Sequence, residues 1–366
     1  MKTVYCSFDG RYSDNPRALY RSLSRRGDHD SHVWLYHPKH GAGFPAGVAK
    51  VPYGSAAALD ALESADLVVA NTHLELEWAK KPGATYLQTW HGTPLKRIHY
   101  DVLFAPAGRL ARLDADVARW DYLLSPNQVS TERLRSAFRF TGQVLETGYP
   151  RNDILSSPRR RAVRARVRAS LGIDDDTTAV LYAPTWRDDE YFADGAPDIE
   201  LALDVDRFVS ELGDGYRLLP RLHYMMTERM APVQRQGVTD VSSYPDSQEL
   251  YLAADVLVTD YSSVMFDFAV TGKPIIHFAY DLERFRDTVR GFYFDLEQVA
   301  PGPIVRSTDG VLDALHRLPE VTAAHAQRYA EFRRTFTALE DGHASDRLAW
   351  LADQPSSERE LAASID

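Results

Sequence analysis

The stretch 254–281 constrains the fold more than any other part of the chain. It reads ADVLVTDYSSVMFDFAVTGKPIIHFAYD. Its first apolar run, rich in β-branched residues, is typical of a buried strand in a parallel sheet. A polar turn at 260–263 and an apolar segment at 264–271 follow, and the apolar segment predicts a helix packed on that sheet. Gly272 ends this helix, and the run 274–278 predicts the next strand. The stretch therefore predicts a strand–turn–helix–strand unit.

The polar turn lies where open α/β sheets bind their ligands, at the carboxyl end of a strand. Free N–H groups and the helix dipole at such a turn favour an anion. We therefore predict a phosphate-bearing ligand at Thr259, Asp260, Ser262 and Ser263. The alternative is an ordinary helix start, in which Ser262 or Ser263 caps the helix and no ligand binds.

Length and pattern predict two α/β domains. The chain has 366 residues, and strand-like runs alternate with helical stretches, which indicates doubly wound parallel sheets. Strands are expected at 2–7, 32–37, 66–71, 84–89, 122–125 and 143–145, and again at 179–182, 216–222, 238–241, 256–259 and 275–278. A turn-rich break at 148–153 separates the two series. We therefore expect an N-terminal domain at 1–155, a second domain at 156–330, and C-terminal helices with a frayed tail at 331–366.

Composition excludes several classes of protein. A formal net charge of −10 argues against a general nucleic-acid binder. The single cysteine permits no internal disulfide and no thiolate metal site, and no histidine spacing matches a zinc motif. No apolar run reaches the length of a membrane span, so we expect a cytoplasmic protein.

A histidine follows the fourth predicted strand, in the segment QTWHGTPLK. His91 lies beside a glycine at a strand end, where active sites occur. Because imidazole titrates near neutral pH, His91 is a candidate to remove a proton from an attacking hydroxyl. A histidine that only hydrogen-bonds its loop is the alternative. Lys96 is a candidate phosphate contact or a solvated side chain.

Basic residues also follow two strands of the second domain. Arg187 comes after the strand at 179–182 and is a candidate for bidentate phosphate binding. Arg221 and His223 alternate along the end of the strand at 216–222, so both are expected on one side. Burying them unpaired would be costly, which favours an anionic partner. A surface salt bridge is the alternative.

The segment 158–171 carries six arginines between Arg159 and Arg168. Helical periodicity places four of them on one side, beside an apolar stripe. One interpretation is a solvated helix packed by that stripe. The other is a contact with an anionic membrane surface.

Eight ordered motifs resemble those of the CDP-glycerol:poly(glycerophosphate) glycerophosphotransferases, bacterial enzymes of teichoic acid and capsule polymer synthesis. The resemblance spans nearly the whole chain. The motifs are TWHGTPLK at 89–96, ETGYPRND at 146–153, YAPTWRDD at 182–189, RLHY at 221–224, VTDYSSVMFDFA at 258–269, GKPIIHFAYDLE at 272–283, RGFYFD at 290–295 and LEDGHASDR at 339–347.

The resemblance implies a GT-B-like fold, in which the active site lies in a cleft between two Rossmann-like domains. It implies that glycerol phosphate passes from CDP-glycerol to a hydroxyl of a lipid-linked or polymeric acceptor, with release of CMP. Carried over by motif, His91 is a candidate general base and His223 a second catalytic residue near the donor. The Asp260–Ser263 turn is expected to hold donor phosphate, with Arg187 and Arg221 as pyrophosphate partners. We expect no cofactor and no obligatory metal, and a location at the inner face of the membrane.

The resemblance leaves several points open. Polymerising relatives often carry extra N-terminal sequence that this chain lacks, so a single addition or a capsule-type transfer stands beside polymerisation. Nothing in the sequence separates glycerol phosphate from ribitol phosphate. A GT-B nucleotide-sugar glycosyltransferase or epimerase uses the same frame, because a fold does not fix a function. A non-catalytic lipid- or polymer-binding relative is the other alternative.

Overall fold

The structure is a computed structural model. It describes residues 1–8, 10–25, 31–102, 110–185, 187, 201–222, 235–289 and 291–353. Within these ranges the chain forms two parallel sheets, each covered on both faces by apolar side chains. The two α/β domains expected from the sequence are confirmed.

The N-terminal sheet contains seven strands within the described residues. They are β1 Lys2–Cys6, β2 Ser31–Tyr36, β3 Lys50–Pro52, β4 Leu67–Ala70, β5 Thr85–Gln88, β6 Tyr122–Ser125 and β7 Gln143–Glu146. Their order is β3-β2-β1-β4-β5-β6-β7 and all pairs are parallel. Six of these strands were expected from the sequence. The sequence analysis missed β3, a three-residue edge strand whose short run carries little periodic signal.

The C-terminal sheet contains five strands within the described residues. They are β8 Thr178–Ala183, β9 Tyr216–Pro220, β10 Val256–Thr259, β11 Ile275–Phe278 and β12 Ile304–Val305. Their order is β12-β11-β10-β8-β9, again all parallel. The expected strand at 238–241 is wrong, because only Val238 makes a single bridge, to Leu218. The fifth strand is instead β12, whose two residues are too few to predict.

Helices cover both faces of the sheets. They are α1 Asp14–Leu23, α2 Ala56–Glu63, α3 Ala111–Val117, α4 Gln128–Phe138, α5 Asp153–Ser156, α6 Arg160–Ser170, α7 Val205–Leu212, α8 Ser247–Ala253, α9 Val264–Ala269, α10 Leu282–Arg284, α11 Leu296–Val299, α12 Thr308–His316, α13 Leu318–Phe336, α14 Ala344–Arg347 and α15 Trp350–Asp353.

Both sheets reverse their strand order at one point, and these points locate the ligand crevice. In the N-terminal sheet the reversal lies between β1 and β4, and in the C-terminal sheet it lies between β8 and β10. Ligands of doubly wound sheets bind beyond the carboxyl ends of the strands at such switch points. The ligand crevice is therefore expected beside the residues that follow β1, β4, β5, β8 and β10.

The chain connects the two domains twice. After β7 it passes into the C-terminal domain, and after α13 it returns, so that Leu348 and Leu351 complete the N-terminal core. The domain boundary expected at residue 330 falls inside α13, and the change of domain comes after Phe336. The residues at the end of α14 and in α15 therefore pack against the N-terminal sheet.

Candidate active site between the two domains

The loop that follows β5 meets the turn that follows β10 across the domain boundary. Gly92 lies so close to Ser263 that a Cβ atom added to Gly92 would stand 2.8 Å from the Ser263 Oγ. Only glycine permits this approach without a shift of the serine side chain. The predicted histidine loop and the predicted phosphate turn therefore form one site.

His91 is held in one tautomer by its neighbour in the sheet. Its Nδ1 lies 2.6 Å from the main-chain oxygen of Asn71, the residue after β4. Because a carbonyl oxygen only accepts, Nδ1 must carry the proton and donate it, which leaves a lone pair on Nε2. Burial lowers the pKa of His91 to about 4, against the opposing effects of the Asn71 carbonyl and Asp14. The imidazole is therefore neutral near pH 7 and able to accept a proton.

The residue before His91 has a strained backbone. Trp90 has a φ of 52°, in the left-handed region that bulky residues avoid. Its amide donates to Gln88 Oε1 at 3.0 Å, its carbonyl accepts from Asn15 Nδ2 at 3.1 Å, and its ring lies 3.8 Å from the His91 ring. Strain of this kind persists only where surrounding contacts fix it, and it often marks functional sites. The side-chain amide of Asn15, which is buried at the start of α1, therefore supports this loop.

A buried arginine ties the histidine loop to both domains. One amino group of Arg151 donates to the main-chain oxygen of His91 at 2.7 Å and to Asp14 at 2.8 Å, and the other donates to Asp267 at 2.7 Å. Asp14 begins α1 and Asp267 lies in α9, so the ion pairs cross the domain boundary. Burial opposes the charge of Arg151, but the two carboxylates outweigh it and raise the pKa above its ordinary value.

Thr259 and Asp260 lie beneath the turn. The Thr259 hydroxyl donates to the Ala183 carbonyl at 2.7 Å, which joins β10 to β8. Asp260 accepts from the Thr185 amide at 2.8 Å and from Arg187 at 2.9 Å, and it is 1% exposed. Both carboxylate oxygens are therefore used within the protein.

Arg187 is neutralised by two carboxylates. It contacts Asp260 and makes two hydrogen bonds of 2.8 Å to Asp281. Burial works against its charge, but Asp260 and Asp281 raise its pKa above the ordinary value. Its guanidinium also lies about 5 Å from the ring centres of Tyr261 and Phe285. The side chain thus locks the loops after β8, β10 and β11 together.

Ser262 and Ser263 are half-buried at the start of α9, which is shorter than the expected helix. The Ser263 side chain caps nothing, and the Ser262 hydroxyl accepts weakly from the Val264 amide at 3.4 Å. Within the described residues, the main-chain N–H groups of Ser262 and Ser263 have no acceptor. The turn therefore presents two donors and two hydroxyls at the domain boundary.

Arg221 differs from Arg187 because no carboxylate pairs with it among the described residues. It donates to the carbonyls of Val241 and Tyr244 at 3.1 and 2.8 Å and to the Ser247 hydroxyl at 2.9 Å. It follows β9, and burial lowers its pKa. A half-buried guanidinium without a carboxylate partner favours an anion nearby.

Two predicted site residues remain, Lys96 and His223, and the structure gives fewer contacts for them. Lys96 is half-buried, bridges to Phe292 and has its ammonium 5.9 Å from the Phe285 ring centre. His223 lies outside the described residues. In the described part of the chain, no three His, Cys, Asp or Glu side chains are grouped so as to hold a metal ion.

Sequence reasoning gave no role to Arg151 or its partners. Arg151 lies in the ETGYPRND motif, but nothing local shows that it is buried. A usable signal was Asp267, a carboxylate inside the apolar run VMFDFA, since a charge on a buried helix face requires a partner. Asn71 acts through its carbonyl, which no side-chain pattern reveals.

Three arginines of α6 are bound within the protein. Arg164 donates to Asp255 at 2.6 Å, Arg168 to Asp255 at 3.0 Å, and Arg166 to Glu249 at 2.6 Å. Arg168 is 2% exposed, so the interpretation of the whole segment as a solvated helix is wrong for this residue. The exposed arginines of the segment are Arg159, Arg160 and Arg161, with the partly paired Arg166. In the described residues no helix combines the length and apolarity that a membrane crossing requires.

Comparison with known proteins identifies the family. The sequence model of the CDP-glycerol:poly(glycerophosphate) glycerophosphotransferases matches residues 1–351. A teichoic acid glycerol-phosphate transferase of Staphylococcus aureus is 39% identical over 93% of this chain and 90% of its own length. A teichoic acid poly(glycerol phosphate) polymerase of Bacillus subtilis is 37% identical over 94% of this chain, which spans only 48% of that protein.

Solved structures agree with this assignment. A variant of the wall teichoic acid polymerase TagF superposes with a TM-score of 0.90 at 35% identity, covering 98% of this chain and 90% of that one. A TagF variant soaked with CDPG gives a TM-score of 0.89 at 34% identity, over 99% of this chain and 90% of that one. A UDP-GlcNAc 2-epimerase of Neisseria meningitidis, at 14% identity and a TM-score of 0.55 over 94% and 98% of the two chains, shows the shared GT-B-like fold alone. The chain belongs to the CDP-glycerol:poly(glycerophosphate) glycerophosphotransferase family.

Proposed function

We propose that this chain transfers glycerol phosphate from CDP-glycerol to a hydroxyl of a teichoic acid acceptor. The acceptor oxygen attacks the β-phosphorus, its proton passes to His91 Nε2, and the bond to the α-phosphate breaks so that CMP leaves. The observation that carries the proposal is the contact between the loop of a neutral, oriented His91 and the Ser262–Ser263 turn. Family membership supplies the donor.

The site residues divide by the contacts they make. We assign Ser262, Ser263 and Arg221 to the donor diphosphate, because they offer donors or charge that the described residues do not satisfy. We assign Thr259, Asp260 and Arg187 to positioning, since their polar groups are used within the protein. Lys96 and His223 remain proposed contacts, on the motif resemblance. Preorganised donors of this kind stabilise charge on the transferring phosphate.

The direct test is His91→Ala, with CMP release as the readout. Loss of a general base costs about 10²–10⁴-fold in turnover, whereas donor binding measured by calorimetry should persist. The exposed His316→Ala is the matched control and should change neither quantity. Near-normal turnover of the His91 variant would remove this residue from the mechanism.

The donor assignment is tested by comparing two arginines. Arg221→Ala should weaken CDP-glycerol binding while the fold is kept, because its partners are carbonyls and a hydroxyl. Arg187→Ala should instead lower the unfolding midpoint, since it leaves Asp260 and Asp281 buried without a cation. If both variants fold and lose the same affinity for CDP-glycerol, the assignment of Arg221 to binding and Arg187 to positioning is wrong.

The identity of the acceptor is a further part of the proposal. We propose a lipid-linked or polymeric acceptor in teichoic acid synthesis, with capsule-type transfer and a ribitol phosphate donor as the competing possibilities. A screen of CDP-glycerol, CDP-ribitol and UDP-sugars against such acceptors separates them by the nucleotide released. Release of UDP rather than CMP would favour a GT-B glycosyltransferase or epimerase.

We propose that the chain works in the cytoplasm at an anionic membrane surface, through Arg159, Arg160 and Arg161. These side chains are exposed at the start of α6, whereas Arg164, Arg166 and Arg168 are committed to internal carboxylates. Replacing the first three by glutamine should weaken co-sedimentation with anionic vesicles but leave neutral vesicles and soluble turnover unaffected. Unchanged sedimentation with anionic vesicles would end this proposal.

A further inference from the structure

A second basic site lies at the amino ends of the strands of the C-terminal sheet, whereas the active site lies beyond their carboxyl ends. A cavity of about 400 Å³ opens beside α6 and the end of α13, within the usual size range of small-molecule sites. Its lining residues are Leu155, Ser156, Arg160, Arg161, Arg164, Leu252, Val270, Thr271, Lys273 and Arg333. Five of these are basic and none is acidic, so the cavity is suited to an anion.

The position of the cavity separates it from the catalytic residues. Lys273 precedes β11 and Leu252 precedes β10, so both lie at the amino ends of these strands. The candidate active site lies beyond the carboxyl ends of the same sheet. Four strand residues intervene, or about 13 Å of strand. One ligand of small size cannot occupy both sites.

The floor of the cavity is built from cations at the end of a helix. Lys273 Nζ donates to the carbonyls of Tyr251 and Leu252 at 3.0 and 2.7 Å, and Arg164 donates to those of Leu252 and Ala253 at 2.9 and 2.8 Å. These carbonyls end α8, where cations are favourable. The carboxylate of Asp255 is shared between Arg164 and Arg168.

The rim of the cavity carries charge that the described residues do not neutralise. Arg160, Arg161 and Arg333 pair with no carboxylate in the described part of the chain, and Arg160 reaches only the Ser156 carbonyl at 3.3 Å. Arg333 approaches the backbone where Gly272 has no side chain, and an added Cβ there would lie 3.7 Å from its guanidinium. Three guanidinium groups therefore surround one opening.

The electrostatic consequence is visible at Lys273. Burial, together with the nearby Arg164 and Arg168, lowers its pKa to about 7 against the opposing effect of Asp255. An anion in the cavity would offset this repulsion and restore the charge of the ammonium group.

We propose that this cavity binds a phosphate ester, held by the guanidinium groups of Arg161 and Arg333 above the charged floor. Guanidinium matches phosphate oxygens in bidentate geometry, which favours an oxyanion over a halide. The cavity takes a group the size of a glycerol phosphodiester, whether it is part of a soluble ester or of a phospholipid headgroup. The site is independent of the catalytic assignment, since none of its residues belongs to the proposed machinery.

The test uses glycerophosphoglycerol, a soluble phosphodiester, titrated into the full chain by calorimetry. The variant Arg161→Ala/Arg333→Ala should weaken its binding about tenfold or more. The matched control Arg328→Ala/Arg334→Ala removes the same charge at exposed positions of α13 outside the cavity and should bind as the unmodified chain does. Unfolding midpoints check that both variants fold.

Two further arms complete the test. If the control variant co-sediments with phosphatidylglycerol vesicles and the cavity variant does not, a lipid headgroup is the source of the ester. Equal retention of both variants, together with selective loss of glycerophosphoglycerol binding, identifies a soluble ester. The proposal is overturned if the unmodified chain does not bind the phosphodiester, or if the control loses as much affinity as the cavity variant.

Discussion

Gly92 and Ser263 touch across the domain boundary, with room for a hydrogen atom but not for a methyl group between them. This contact joins the loop that carries His91 to the turn that precedes α9. Gly92 has no side chain to take part in the chemistry, so its importance comes from the approach of the two domains. A substitution at this contact therefore tests directly whether the two loops form one site.

The first prediction concerns this contact. Gly92→Ala places a Cβ atom 2.8 Å from the Ser263 Oγ and 3.1 Å from its Cβ, so the turn must shift. We expect CMP release to fall about tenfold, in line with the cost of overpacking a closed contact. Gly43→Ala, where nothing lies within 4 Å, is the control and should be neutral. Full activity in the Gly92 variant would show that catalysis does not depend on the close spacing of the two loops.

The second prediction concerns the pH dependence of turnover. His91 must be unprotonated to act as a base, and burial lowers its pKa to about 4 in the free protein. The acid limb of kcat/KM should therefore lie near pH 4, because this parameter reports the free enzyme. A bound diphosphate favours the imidazolium, so the acid limb of kcat should lie about one unit higher or more.

Profiles of CMP release against pH measure both limbs, and His91→Gln should abolish them. Coincident limbs for kcat and kcat/KM would contradict the proposed proximity of His91 to the donor phosphates.

The third prediction concerns Arg151. Arg151→Met leaves Asp14 and Asp267 buried without their cation, which costs about 3–5 kcal/mol of unfolding free energy. Adding Asp267→Asn should recover part of this loss, since one buried charge is removed. Arg207→Met, at an exposed surface pair, should cost far less, because water screens exposed ion pairs. Denaturant unfolding measures all three, and a loss at Arg151 as small as that at Arg207 would show that the buried pairs contribute little.

The fourth prediction concerns Glu340, a buried carboxyl that accepts from the Tyr149 amide at 3.1 Å. Burial, and then Asp267, raise its pKa to about 8. Between roughly pH 4.3 and 8, Glu340 therefore keeps its proton in the folded chain and loses it in the unfolded chain, so its contribution to stability falls as pH rises through that window.

Glu340→Gln should flatten this dependence and stabilise the chain at pH 8, by on the order of 1 kcal/mol or more. Thermal unfolding at pH 5.5 and 8 measures the difference, with the exposed Glu331→Gln as control. A Gln variant with the same pH slope as the unmodified chain would exclude Glu340 as its source.

The sequence predicted the elements whose signal is local. Short apolar runs located ten of the described strands, and the strand-end positions of His91 and Asp260 predicted that both lie near the crevice. It could not show that Asp260 pairs with Arg187 and accepts from the Thr185 amide, because these contacts depend on separate loops meeting. Arg151 was missed for the same reason, since its partners lie 137 and 116 residues away in the chain.

The double connection between the domains has a mechanical consequence. The segment around Tyr149 and the segment around Glu340 run side by side, joined by hydrogen bonds, and Asp153 accepts at 2.9 Å from the amides of Ala344 and Ser345. A single linker would let one lobe swivel freely about the other. Two adjacent linkers restrict such a rotation to fewer axes, so that any change in the angle between the lobes would also change the distance between the His91 loop and the Ser263 turn.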